Sequence, residues 1–144
     1  QESTTLIRNG RLLDGSGNPW IYADVLLRGD RIEAVGSLGA IEADRVIDAT
    51  GLYVAPGFID SHSHAGGGLA SAELSHAEPL LAMGLTTVFV NPDGGGPVDI
   101  AAQGDDLLEH GLGVNVAQLV PQGSVRREVM GSADRAATPA ELER

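Results

Sequence analysis

Short apolar runs punctuated by turn residues fill the first 56 residues. Leu6-Ile7-Arg8 and Arg11-Leu12-Leu13 flank Asn9-Gly10, a dipeptide suited to the positive backbone angles of a tight hairpin. Asp14-Gly15-Ser16-Gly17-Asn18-Pro19 reads as a loop. Ala23 to Arg28 and Arg31 to Val35 flank Gly29-Asp30 and predict a second hairpin. Arg45 to Ala49 and Leu52 to Ala55 complete a series of strands whose spacing indicates a β-sandwich or part of one.

From Gly57 the pattern becomes strand, helix, strand, helix, strand. Phe58 to His62 predicts a short strand. Leu74, Ala77, Leu81 and Leu85 fall at three- and four-residue steps, which predicts a helix over Ser71 to Met83 stopped by Gly84. Thr86 to Val90 is a buried, β-branched strand ended by Asn91-Pro92-Asp93-Gly94-Gly95-Gly96-Pro97. Asp99 to His110 reads as a helix with Gly111 as its stop, and Val114 to Val120 as a third strand. Thr138-Pro139-Ala140-Glu141 carries a helix start: a Thr cap, Pro at the first position and Glu at the third.

Strands alternating with helices predict parallel βαβ units. The fold class expected is therefore α/β: residues 57–144 as the first three βα units of a TIM-type (β/α)8 barrel, preceded by residues 1–56 as part of a small β-sandwich domain. A whole barrel needs roughly 250 residues, so the 144-residue chain reads as the front of a longer protein. A doubly wound open sheet is the other arrangement of such units, but its Gly-x-Gly-x-x-Gly fingerprint after the first strand is missing.

Composition narrows the function. Acids number 20 and bases 9, all of them Arg, for a net charge of −11. That balance argues against nucleic acid or an anionic membrane as partner, since both require clustered positive charge. Only 3% of residues are aromatic, too few for the stacking platforms of single-strand binders. Cysteine is absent, which excludes disulfides, thiolate metal sites and a Cys nucleophile. No apolar run approaches the roughly 18 residues of a membrane span. Gln1 in place of Met fits a mature end left by signal cleavage, hence export, and equally a piece of a cytoplasmic protein.

His62-Ser63-His64 closes the first βα strand. Side chains two apart on a strand share a face, so both imidazoles can converge on one divalent ion, and strand C-termini are where barrel active sites assemble. The following Ala65-Gly66-Gly67-Gly68 admits close approach by a ligand. The plain alternative is two polar residues at a loop mouth. Asp60 either orients an imidazole or bonds a neighbouring backbone group. Asp93 ends the second strand, where its carboxylate can bridge two metal ions or simply form a turn before Gly94. Arg126, after the third strand, can hold a substrate carboxylate by a bidentate contact, or be an ordinary surface Arg. His76 and His110 lie on predicted helices, away from this grouping. Between residues 57 and 125 there are eight acids and no Lys or Arg, a balance that favours a cation, although most of these acids belong to helices and are solvated.

Val54-Ala55-Pro56-Gly57-Phe58-Ile59-Asp60-Ser61-His62-Ser63-His64 resembles the segment Pro-Gly-(Phe/Leu)-Ile-Asp-x-His-x-His of the metal-dependent amidohydrolase superfamily. Ile7-Arg8-Asn9-Gly10, Gly29-Asp30-Arg31-Ile32 and Ile47-Asp48-Ala49-Thr50-Gly51 resemble that family's β-domain, so the similarity covers essentially the whole chain. Gly84-Leu85-Thr86-Thr87-Val88, Val129-Met130-Gly131 and Arg135-Ala136-Ala137-Thr138 resemble the D-aminoacylase (N-acyl-D-amino-acid deacylase) branch. The resemblance implies His62 and His64 as ligands of one metal, usually zinc, with one or two divalent ions in the site. Many D-aminoacylases place a Cys ligand near the end of the second strand, where this chain has Asp93. The remaining His ligands and the general-base Asp come from later strands in the family, beyond Arg144, so no catalytic base is assigned within this chain.

The resulting expectation is a zinc-dependent hydrolase of C–N amide bonds, in which metal-activated water attacks the carbonyl of a small-molecule amide such as an N-acyl-D-amino acid. Cyclic-amide opening, as in dihydroorotase- or hydantoinase-like enzymes, is the alternative within hydrolases; those enzymes commonly use a carboxylated Lys, and this chain has no Lys. A non-catalytic module built from a truncated barrel is the alternative outside them. Its open parallel sheet would need a partner or self-association as a homo-oligomer to cover its edges.

Overall fold

The computed structural model describes residues 2–143, so the expectation attached to Gln1 lies outside the described residues. The chain divides into two compact units between Pro56 and Gly57.

In the first unit, β1 (Thr4–Leu12), β2 (Ile21–Arg28), β3 (Arg31–Gly36), β4 (Arg45–Asp48) and β5 (Tyr53–Val54) form one five-stranded sheet. β1 is its centre, pairing with β2 antiparallel and with β4 and β5 parallel. The hairpin at Gly29-Asp30 forms as expected, joining β2 to antiparallel β3. The hairpin expected at Asn9-Gly10 does not. Thr4–Leu12 is a single strand, and Asn9, at φ 62°, opens a bulge in it. Pairing with β2 jumps there from Ile7–Val25 to Gly10–Ala23. The Asn9 N–H donates to Asp24 Oδ1 at 3.0 Å and its Nδ2 to Asp48 Oδ1 at 3.1 Å. The same turn chemistry therefore bends one strand instead of reversing it. Leu6, Ala23, Val25, Leu26 and Ala49 are the buried apolar residues of this unit.

The second unit contains a three-stranded parallel sheet, in the order β6 (Phe58–Asp60), β7 (Leu85–Val90), β8 (Asn115–Gln118). Helices α1 (Gly66–Leu69), α2 (Glu78–Ala82) and α3 (Ile100–Leu108) lie between the strands in sequence; α4 (Gln122–Met130) and α5 (Pro139–Leu142) follow. Leu69, Ala77, Val88, Val90, Leu107 and Val114 form the core. Asp99 caps α3 by accepting the Ala102 N–H at 2.9 Å, and Gly111 ends the following turn at φ 76°.

One helical expectation is corrected, and one helix was not anticipated. Ser71 to Met83 is not one helix: Ala77, at φ 53°, turns left-handed and sets its methyl in the core, and α2 starts only after it. Pro79 lacks the N–H that a continuous helix would use, and is tolerated in the first turn of α2. Residues 122–130, read only as the stretch following the third strand, form α4. The start at Thr138 forms as expected, with a full capping box between Thr138 and Glu141.

Gly57 matters by its lack of a side chain. A Cβ there would stand 2.6 Å from Thr86 Cβ on β7, just where Phe58 N–H bonds the Gly84 carbonyl at 2.8 Å. Gly57→Ala should therefore overpack the β6–β7 pair and lower stability by about 1–3 kcal/mol, read as a lower urea midpoint at unchanged slope. At the other end of this unit, Arg135 bonds both Glu141 oxygens, at 2.7 and 2.8 Å, and with Thr138 holds that carboxyl well below the usual range. Because the folded carboxyl is the stronger acid, its contribution is complete above the ordinary glutamate value of 4.5 and declines as pH falls below it. Amide protection at Glu141 should persist at neutral pH and decline in acid; protection rising on acidification would contradict this.

Candidate metal centre

β6 stops at Asp60, two residues short of the expected strand end, so His62 and His64 lie in the bend that follows. The strand's alternation nevertheless continues. Ser63 is buried, and its N–H donates to the Phe89 carbonyl of β7 at 2.9 Å, while the flanking histidines face outward. Asp60 takes the second of its two expected roles: its Oδ1 accepts the His62 backbone N–H at 3.0 Å. This Asx-type bond shapes the bend that presents the imidazoles.

Asp93 reaches the same place from β7. The chain leaves that strand through Asn91, at φ 63° and ψ 43°, and a 3₁₀ turn over Pro92–Gly94 in which Asp93 is itself left-handed, at φ 60°. Its Oδ1 then stands 3.4 Å from His62 Nε2 and its Oδ2 3.4 Å from His64 Nε2. The imidazole centroids are 5.4 Å apart, inclined at 60°. All three side chains are exposed, and one ligand atom from each can be chosen so that all lie within 4.8 Å of one another.

The spacing distinguishes two uses of these groups. A good N–H···O bond is shorter, at about 2.7–3.2 Å. Ligands about 2.0–2.1 Å from a tetrahedral zinc ion stand roughly 3.3–3.4 Å apart. Each separation of 3.4 Å joins a different carboxylate oxygen to a different imidazole nitrogen and lies beyond the usual hydrogen-bond range, and two imidazoles with one carboxylate are a donor set that zinc accepts. A cleft of about 490 Å³ opens beside His64 and Asp93 and is lined in part by Gly66, Gly67, Gly95 and Gly96. The absence of side chains on those glycines leaves it room for a ligand.

The other sequence candidates lie elsewhere. Arg126 is on α4, where its Nη2 donates to the carbonyls of Ala133 (3.0 Å) and Arg135 (2.9 Å) and its Nη1 faces Met130 Sδ. His76 and His110 do not join the grouping of His62, His64 and Asp93. Sequence reasoning passed over a set of amides beneath Asp93. Asn91 and Gln103 are buried and exchange two hydrogen bonds, each 2.8 Å. Gln103 Oε1 also accepts from Gln118 Nε2 at 2.9 Å. Their signal was present: Gln103 lies one helical turn before Leu107 on the inward stripe of α3, where an uncharged amide needs a partner.

Comparison with known proteins shows the family. Residues 45–139 match the Amidohydrolase family. The chain shares 35% identity with a D-aminoacylase of Alcaligenes xylosoxydans xylosoxydans, over 95% of its own length and 33% of that protein's. It superposes with a TM-score of 0.82 and 31% identity on an N-acyl-D-glutamate deacylase of Bordetella bronchiseptica, solved with zinc and a phosphonate mimic of the tetrahedral intermediate, over 99% of this chain and 34% of that one. A D-aminoacylase with a binuclear metal centre gives the same TM-score of 0.82 and 31% identity, over 96% of this chain and 34% of that one. The chain thus spans about a third of the length of the relatives it matches. Its mixed α/β fold is that of the D-aminoacylase structures, and the chain belongs to the amidohydrolase family.

Proposed function

We propose that this chain is the metal-binding front part of a zinc-dependent amide hydrolase, resembling the N-acyl-D-amino-acid deacylases, that cleaves the C–N bond of a small-molecule amide. The observation that carries the reading is the convergence of His62, His64 and Asp93 beyond the C-terminal ends of neighbouring parallel strands. Under it, residues 57–144 supply the first three βα units of a (β/α)8 barrel and residues 1–56 part of a small β-sandwich domain. The strand order β6-β7-β8, parallel and sequential, supports the barrel, as do the exposed Ile59 and Val120, which further elements would cover. Self-association into a homo-oligomer is the other way to cover the open edges of β6 and β8.

Zinc bound there would polarise the amide carbonyl and make water nucleophilic near neutral pH. The chain's own residues prepare the place. The imidazoles offer neutral nitrogen donors, and Asp93 brings the negative charge that a divalent ion requires. Asp60 holds the His62 backbone in its bend. The glycines of the 66–67 and 95–96 segments leave the neighbouring cleft free for the acyl group. Arg126 lines a different cleft, with Val125, Val129 and Met130, and would hold a substrate carboxylate there only in exchange for its present bonds to the Ala133 and Arg135 carbonyls. The general base and the remaining ligands would come from later strands.

Competition against a chromophoric chelator should give stoichiometric zinc binding, weakened about tenfold or more by either His62→Ala or Asp93→Ala, since loss of even an outer-sphere partner typically costs 10–100-fold. Equal zinc affinity in the unsubstituted and His62→Ala proteins would remove the basis of the reading. In the complete enzyme, chelation should abolish hydrolysis of N-acyl-D-amino acids and zinc should restore it. Activity that survives exhaustive chelation would exclude the metal from the reaction.

A further inference from the structure

We propose that Asn91 and Gln103 form a positioning pair for Asp93, so that zinc affinity depends on an amide contact that touches none of the three ligands. The inference rests on the metal reading above. It starts from an asymmetry within the trio. His62 is tied to Asp60 through its backbone, and Ser63 joins β6 to β7. The Asp93 carboxylate meets the two imidazoles at 3.4 Å each, beyond the usual hydrogen-bond range, so its approach to them depends on the backbone that carries it.

That backbone is set two residues earlier. Asn91 and Asp93 are both left-handed, with Pro92 between them at a nearly fixed φ. An asparagine visits this region more readily than other side chains, yet an unheld one would interconvert with the extended form. Here it is held from several sides. Asn91 Nδ2 donates to Gln103 Oε1 (2.8 Å) and to the Leu119 carbonyl (3.0 Å), and its Oδ1 accepts from Gln103 Nε2 (2.8 Å). Both amide hydrogens of Asn91 are therefore occupied. Gln118 fastens the pair further, donating to Gln103 Oε1 and to the Ile100 carbonyl, both at 2.9 Å. The turn bearing Asp93 is thereby pinned to α3 and to the end of β8. Any other Asn91 conformation would strand buried amide groups without partners, which a low-dielectric site penalises heavily.

Two variants test this. Gln103→Met keeps the volume and removes the pair. Asn91→Gly keeps access to positive φ and removes the amide. Zinc dissociation constants, measured by competition with a chromophoric chelator, should rise about tenfold or more in both, in the range usual for groups that orient a ligand. The visible absorption of the cobalt(II)-loaded proteins should shift as the carboxylate is lost from the ligand set. Val114→Ala, in the same core but away from the turn, supplies a variant with a general loss of stability and should leave zinc affinity within about twofold of the unsubstituted value. Unchanged zinc affinity in the folded Gln103→Met or Asn91→Gly protein overturns the positioning role alone. Equal weakening by Val114→Ala overturns it too, because a merely structural effect would then suffice. If the unsubstituted protein binds no zinc, the metal reading fails and takes this inference with it.

Discussion

Asp93 can face two imidazoles only because the chain turns left-handed twice after β7, at Asn91 and again at Asp93 itself. An extended continuation of the strand would carry the carboxylate away from His62 and His64, and the three groups would be unrelated surface residues. For most L-residues each left-handed position costs about 1–2 kcal/mol, less for Asn and Asp. The sequence places those two types at the two positions concerned and separates them by a proline. The turn is a departure from local preference that these particular side chains make inexpensive.

The charge balance looks different once each acid has a place. The segment between residues 57 and 125 contains eight acids and no Lys or Arg. Only Asp93 faces the histidines. Asp60 is engaged by the His62 N–H and Asp99 caps α3. Two of the eight acids thus serve local structural duties, and the carboxylate set beside both imidazoles is that of Asp93.

Around this centre the fold relies on parallel pairing in the second unit and on β1 in the first. Val88 and Val90 alternate inward on β7 and are fully buried, which anchors the strand from which the Asp93 turn departs. β1 joins three strands, and its bulge at Asn9 ties β2 to β4 through Asp24 and Asp48. In both units an asparagine at positive φ carries out a bend that its side chain then secures.

The alternation of strand and helix after Gly57, the cap at Thr138, the stops at Gly84 and Gly111 and the placing of His62 and His64 at the end of the first βα strand are local properties, and residue type and spacing were enough to read them. Resemblance to a family supplied what spacing left open, the choice of zinc and amide chemistry. What local pattern does not encode is how a turn residue is used. Asn9-Gly10 bends a strand where a hairpin was expected, because Asp24 and Asp48, distant in sequence, receive its donors. The helix expected from Ser71 breaks because the methyl of Ala77 is buried in the core at the expense of helical backbone. Asp93 joins the histidines, and Asn91 finds Gln103, only when α3 and β8 are packed beside β7. Such contacts join groups about a dozen to forty residues apart, and their energy exists only once the chain between them has folded.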